Sequence, residues 1–200
     1  MSDFIRDLRD LHVLVIHQRD RGADELLQQV NRIGCNFENA WPIPESLQKK
    51  FDLVFIDVTD QTAGRIKSFL NSGEGGLPTV IALIGYENPS TLDLIFEIGA
   101  HAVLTKPVRA TGVLSAMLMA RRTWAEQLRF QKDLSKLRDR LDNMQKINDA
   151  KFILMRHHGI DETEAYAVIR KQAMAKRTTT FEIAQSIINA DGILRNIGQA

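Results

Sequence analysis

Residues 52–58 read DLVFIDV and residues 79–85 read TVIALIG. Both are nearly continuous apolar runs, without the alternation of a strand that shows one face to water. Runs of this kind belong to parallel strands covered by helices on both faces. Working outward, HVLVI (12–16) is another such strand. ADELLQQVNRI (23–33) sets Leu26, Leu27, Val30 and Ile33 on one helical face, and Gly34 follows as a stop. NFENAW (36–41) is a weaker strand, closed by Pro42 and Pro44. TAGRIKSFLNS is a helix ended by the glycine-rich SGEGG, and Pro89 opens the helix STLDLIFEI, which Gly99 ends. AVLTK (102–106) is the last strand and leads through Pro107 into a further helix. Five β/α repeats with short connections predict an α/β domain with a doubly wound, five-stranded parallel sheet. In such sheets the crevice used for function lies beyond the carboxyl ends of the strands. Asp57 closes the third strand there, and Lys106-Pro107 closes the fifth.

The chain has 200 residues, enough for one ordinary domain and a small module. Its 44% apolar and 26% charged content is that of a soluble globular protein. No apolar run reaches the length needed to cross a bilayer, and MSDFIRDLRD lacks a cleavable signal pattern, so a cytoplasmic protein is expected. The single Cys35 excludes an internal disulfide framework and reads as a small buried hydrophobe at a helix end. The net charge of +1 conceals an asymmetry: residues 1–120 carry −4 and residues 121–200 carry +5. A polyanionic partner is expected to dock at the back.

From about Val113 no Gly or Pro interrupts a helical pattern until Gly159. Phe130, Leu134, Leu137, Leu141 and Met144 alternate spacings of four and three, and Asn148 follows in phase. This is a coiled-coil seam of about two and a half heptads, with other faces crowded by charge. It predicts a homodimer. Beyond Gly159, Asp161 with Glu164 and Thr179 with Glu182 are two capping signals, so two short helices follow the stem. Ala165, Ile169, Ala173, Met174 and Phe181 are assigned to packing, and Asp191-Gly192 to the end of the last helix.

DLVFID (52–57), taken with GAHAVLTKPV (99–108), resembles the receiver domain of bacterial response regulators, a flavodoxin-like fold. The resemblance implies that the strand-3 aspartate accepts a phosphoryl group and that the strand-5 lysine contacts it. Family members also hold Mg²⁺ on an acidic pair after strand 1. Here those positions are His17 and Gln18, Asp20 lies too far along, and Val58-Thr59-Asp60 replaces the usual Met-Pro. Neutralising phosphoryl charge without that metal is unfavourable. A pseudo-receiver is therefore expected, with Asp57 a structural carboxylate and Lys106 its ion-pair partner. The rival reading is a phosphorylation-switched regulator that uses Asp57.

Ala150-Lys151, Ile153-Leu154-Met155, Glu164-Ala165-Tyr166, Ala173-Met174 and Ile183-Ala184 with Ile187 resemble the ANTAR domain, the RNA-binding module of bacterial transcription antiterminators. RIGC (32–35) and WPIP (41–44) bring the whole chain close to the family of aliphatic-amidase operon regulators. The resemblance implies three parts: a receiver-like domain (1–120), a stem (121–149) and an RNA-binding module (150–200). It implies binding of a leader-transcript hairpin so that a terminator does not form, and silencing by a ligand-sensing repressor protein. RNA is gripped through its phosphates by Lys and Arg and read through loop bases by stacking. The candidate contacts are Lys151, Arg156, Arg170, Lys171, Lys176 and Arg177, with His157 and Tyr166 as stackers. No nucleophile elbow, phosphate-binding glycine loop or metal-ligand cluster stands in the sequence, so no catalysis, metal or cofactor is expected. A pure protein scaffold is the remaining competitor.

Overall fold

In the computed structural model, residues 7–59, 62–73 and 76–197 are described, with side chains described as far as Ile193. The chain divides into two units, Met1–Leu128 and Arg129–Ala200. The first contains β1 (His12–Ile16), α1 (Arg21–Ile33), β2 (Asn36–Ala40), β3 (Leu53–Asp57), α2 (Ala63–Asn71), β4 (Thr79–Ile84), α3 (Pro89–Glu97) and β5 (Ala102–Thr105). The strands form one sheet in the order β2-β1-β3-β4-β5, and every neighbouring pair is parallel. This is the doubly wound, five-stranded parallel arrangement that the apolar runs predict, in keeping with the receiver-like resemblance.

Both faces of the sheet are buried, as uninterrupted apolar strands require. Leu14, Ile16, Val54, Ile56, Ala82 and Ile84 pack on one side with Ile66, Phe69, Leu70, Leu94 and Ile95 of α2 and α3. Val13, Val15, Leu53, Phe55, Ile81 and Leu83 face Leu26 and Val30 of α1 and Val113, Met117 and Ala120 of the next helix. The weak strand β2 lies at the sheet edge, almost wholly exposed, which explains its polar composition. Local caps set the helix bounds. α1 begins two residues earlier than its apolar period, because the Asp20 carboxylate accepts from the Ala23 N–H at 2.8 Å. It ends at Gly34, whose φ of 99° is the left-handed conformation that glycine adopts without strain. Cys35 is buried as expected. Its thiol donates to the Leu8 carbonyl, and burial pushes its pKa up to about 11, which leaves it inert at neutral pH.

α4 spans Val113–His158 without a break. Within the first unit its start is tied down by Arg121 and Trp124. Arg121 donates to Thr79 Oγ1 and lies 4.4 Å from the Trp124 ring centroid, while Trp124 Nε1–H donates to the Leu77 carbonyl at 2.8 Å.

The second unit holds the rest of α4, then α5 (Glu162–Lys176) and α6 (Thr180–Ile197). Both capping signals form. Asp161 and Glu164 make a complete capping box, and Thr179 and Glu182 exchange the same pair of bonds. Gly159, at φ 65°, turns the chain out of α4. The core is small and rich in alanine: Ala150, Leu154, Ala165, Ile169, Ala173, Ile183 and Ala184. Two assignments are corrected. α6 does not stop at Asp191-Gly192 but continues to Ile197, because Asp191 has a buried role that holds that turn in place. Met174 does not pack: it is 65% exposed, one position beyond the stripe of Ala165, Ile169 and Ala173 that α5 buries. Among the described residues no helix is long and apolar enough to cross a membrane.

Candidate nucleic-acid interface and receiver-like crevice

The strand order reverses between β1 and β3, so the crevice lies where those strands end. The register pairs Ile16 with Ile56, which brings His17 and Asp57 side by side. Asp57 is buried, and Lys106 Nζ lies 2.6 Å from its Oδ1. The His17 ring is also buried, with Nδ1 2.5 Å from the Gln18 carbonyl and Nε2 3.7 Å from Asp57 Oδ2. Thr62 Oγ1 donates to the Asp57 carbonyl at 3.1 Å. The crevice thus neutralises its own carboxylate with a lysine. These residues do not fit the Mg²⁺ of phosphorylated receivers. A hard cation takes oxygen ligands, whereas an imidazole stands at the first position and Asp20 is committed to capping α1. Among the described residues no group of three or more His, Cys, Asp or Glu could hold a metal.

The ion pair makes a stability prediction. Lys106→Met leaves a buried carboxylate uncompensated and destabilises the first unit by about 3 kcal/mol in urea unfolding. Adding Asp57→Asn recovers most of that loss, because no orphan charge remains. Equal stability of Lys106→Met and the parent would show the pair to be inconsequential.

Seven of the eight RNA candidates fall into two groups, and Tyr166 stands beside the second. Lys151, Arg156 and His157 are engaged within the module. Lys151 Nζ is 2.5 Å from Glu162 Oε1, and Arg156 Nη2 and His157 Nε2 each lie 2.7 Å from Asp191 Oδ1. Asp191 is buried, so these contacts clamp the end of α4 to α5 and α6. Sequence reasoning missed Glu162 and Asp191 as anchors, because their partners are distant along the chain. Arg170, Lys171, Lys176 and Arg177 form the second group. All four are exposed, and none has an ion pair among the described residues. Residues 165–177 contain no Asp or Glu to offset them. Tyr166 is half-exposed beside this group. Arg177 caps α5 at φ 52°, the one non-glycine residue with positive φ among those described.

The seam residues are displayed to solvent: Phe130, Leu134, Leu137, Leu141 and Met144 are each more than half exposed, and Asn148 is exposed in phase with them. A row of large apolar side chains in water at heptad spacing is the pattern of an unpaired coiled-coil strand.

Comparison with known proteins bears on both units. The family described as AmiR, N-terminal, matches residues 11–121, and the ANTAR domain matches residues 135–188. The chain is 34% identical over 188 residues to the aliphatic amidase regulator of Pseudomonas aeruginosa, spanning 94% of this chain and 95% of that one.

The chain belongs to the AmiR family.

It is also 24% identical to the transcriptional regulatory protein PdtaR of Mycobacterium tuberculosis over 72% of this chain and 70% of that one. A CheY-like receiver domain protein from Methanospirillum hungatei JF-1 aligns at a TM-score of 0.48 and 18% identity, covering 58% of this chain and 98% of that chain. An AmiR-family member with an ANTAR domain is a regulatory protein, of the class of RNA-binding transcription antiterminators to which the module's residues point.

Proposed function

We propose that the protein is a dimeric antitermination factor, built as a receiver-like domain (1–120), a coiled-coil stem (121–149) and an ANTAR module (150–200). The module binds a hairpin in the leader of a nascent transcript and keeps a terminator from forming. The observation that carries this reading is the cationic group on α5: Arg170, Lys171, Lys176 and Arg177, all exposed, without an ion pair among the described residues, in a stretch (165–177) that holds no Asp or Glu. Four such charges on one short helix attract a polyanion, and RNA phosphates are the partner that the family points to. Lys151, Arg156 and His157 contribute by holding the module's shape. The exposed seam supports a homodimer, which presents two modules at once.

Control runs through a partner, a ligand-sensing repressor protein that engages the receiver-like domain or the stem, and not through phosphorylation of Asp57. The Lys106–Asp57 pair and the buried His17 support this, since they fill the crevice that metal and phosphate would share.

Filter binding of the full chain to hairpin RNA across a salt titration tests the reading. The expected affinity falls with salt at a log–log slope of about −3 to −4 per module, for four phosphate contacts. No retention of any hairpin at low salt removes the proposal. Incubation with a small phosphodonor and Mg²⁺ tests the control step, and acid-labile labelling of Asp57 would replace partner control with phosphorylation.

A further inference from the structure

We propose that a pocket at the amino ends of β3 and β4, lined by Phe51, Arg121 and Trp124, binds a small carboxylate with a flat apolar body, such as an aromatic acid. The site lies within the first unit, at the end of the sheet opposite Asp57, and does not depend on the RNA-binding reading. Its cavity measures about 180 Å³. Leu47, Phe51 and Pro78 supply apolar lining, and the exposed Gln48 and Lys49 stand at its edge. Asp52 and Pro78, which also line it, are the residues just before β3 and β4.

Arg121 decides the chemistry. Its Nη1 reaches Thr79 Oγ1 at 3.0 Å and the Asp52 carbonyl at 3.4 Å, and its guanidinium carbon lies 4.4 Å from the Trp124 ring centroid. Among the described residues its Nε and Nη2 make no hydrogen bond, and no carboxylate lies within ion-pair distance of it. Asp52 Oδ2 is committed elsewhere, accepting from the His12 N–H at 3.0 Å. Burial holds the guanidinium below its ordinary pKa, although Asp52 and Asp7 act in the opposite sense. The Nε–Nη2 edge of a partly desolvated guanidinium is the fork that grips a carboxylate through two parallel hydrogen bonds. Size narrows the occupant further. A cavity of about 150 Å³ takes benzene, so this one suits a single ring with its carboxylate. It falls short of the roughly 300 Å³ and more of sites for larger ligands. The apolar lining favours such an acid over inorganic phosphate. Arg121 and Trp124 stand on α4, so an occupant would add bonds between that helix and the segments leading into β3 and β4.

The test follows the indole N–H signals of the isotope-labelled full chain by NMR. Benzoate, benzamide, acetate and inorganic phosphate are titrated in turn at constant ionic strength. The chain has two tryptophans, and Trp41→Phe, at an exposed position, identifies the Trp124 signal. Benzoate is expected to move the Trp124 signal saturably, with a Kd in the millimolar range or tighter as its size allows, and to leave the Trp41 signal in place. Benzamide lacks the charge and acetate the ring, so each binds at least about tenfold more weakly. Arg121→Gln weakens benzoate by a similar factor and leaves benzamide unchanged. Should that variant fail to fold, Lys49→Glu at the exposed edge keeps the fold and weakens benzoate by a few fold. A Trp124 signal that stays fixed at tens of millimolar benzoate overturns the site. Benzamide as effective as benzoate does so too, by removing any role for the guanidinium, and so does acetate or phosphate as effective as benzoate, by making Arg121 a general anion contact. A linear, unsaturated shift of both indole signals, or a folded variant that binds benzoate like the parent, also overturns it.

Discussion

Replacing Arg170, Lys171 and Lys176 with Gln and Arg177 with Asn is expected to lower hairpin affinity by roughly a thousandfold without unfolding the module. Gln is nearly as good a helix former as Lys and Arg, and Asn tolerates the left-handed position of residue 177. Each lost phosphate contact costs on the order of 1 kcal/mol, so four amount to about 4 kcal/mol. The more telling readout is the salt dependence. Removing four contacts flattens the log–log slope by about 0.9 for each, nearly to zero. Substitution at Arg156 or His157 has a different signature, because these side chains hold buried Asp191. Asp191→Ala or Arg156→Gln lowers the melting temperature of the second unit, and RNA affinity falls only in proportion to the unfolded fraction. A quadruple variant that keeps both affinity and slope would show that the cations of α5 face away from RNA.

Leu137→Lys with Leu141→Lys is expected to leave a monomer where the proposed seam would pair two chains. Both side chains are more than half exposed within one chain, so the substitutions remove nothing from the core of either unit. A lysine at two successive seam positions places like charges against each other in the paired state, which a seam of about two and a half heptads cannot absorb. Sedimentation at micromolar concentration reads the oligomer directly. The RNA consequence is specific: affinity for one isolated hairpin changes little, whereas affinity for two linked hairpins falls by about a hundredfold or more as avidity is lost. Asn148→Leu is the complement, expected to tighten association and loosen its register. A double-lysine variant that still sediments as a dimer would place the interface elsewhere.

Much of this architecture could be read from local signals. The apolar runs at 53–57 and 79–84 gave strands covered on both faces, and Gly34, Pro89, Asp161 and Gly159 marked helix ends through local chemistry that acts over three or four residues. Asp20 was harder to place. It lay too far along to replace the missing acidic pair, and its capping role, immediately before the helix, emerges from its bond to Ala23. The Lys106–Asp57 pair was legible because the strand ends of a parallel sheet meet at one edge. The pairing of Arg156 and His157 with Asp191 was not, since 35 and 34 positions, with the whole of α5 between, separate the partners. The same gap hid the continuation of α6. Asp191-Gly192 is a helix stop by composition, and a buried ion pair overrides the roughly 1 kcal/mol preference against glycine in a helix. Met174 fell one position outside the buried stripe, an error of phase that an average period of 3.6 readily produces.

The positive φ of Arg177 has a practical corollary for anyone engineering this chain. Glycine at that position relieves about 1 kcal/mol of backbone strain, partly offset by the entropy that glycine brings to the unfolded chain. Selection for heat resistance alone would therefore favour Arg177→Gly, and the hardier protein would have discarded one of the four exposed cations of α5.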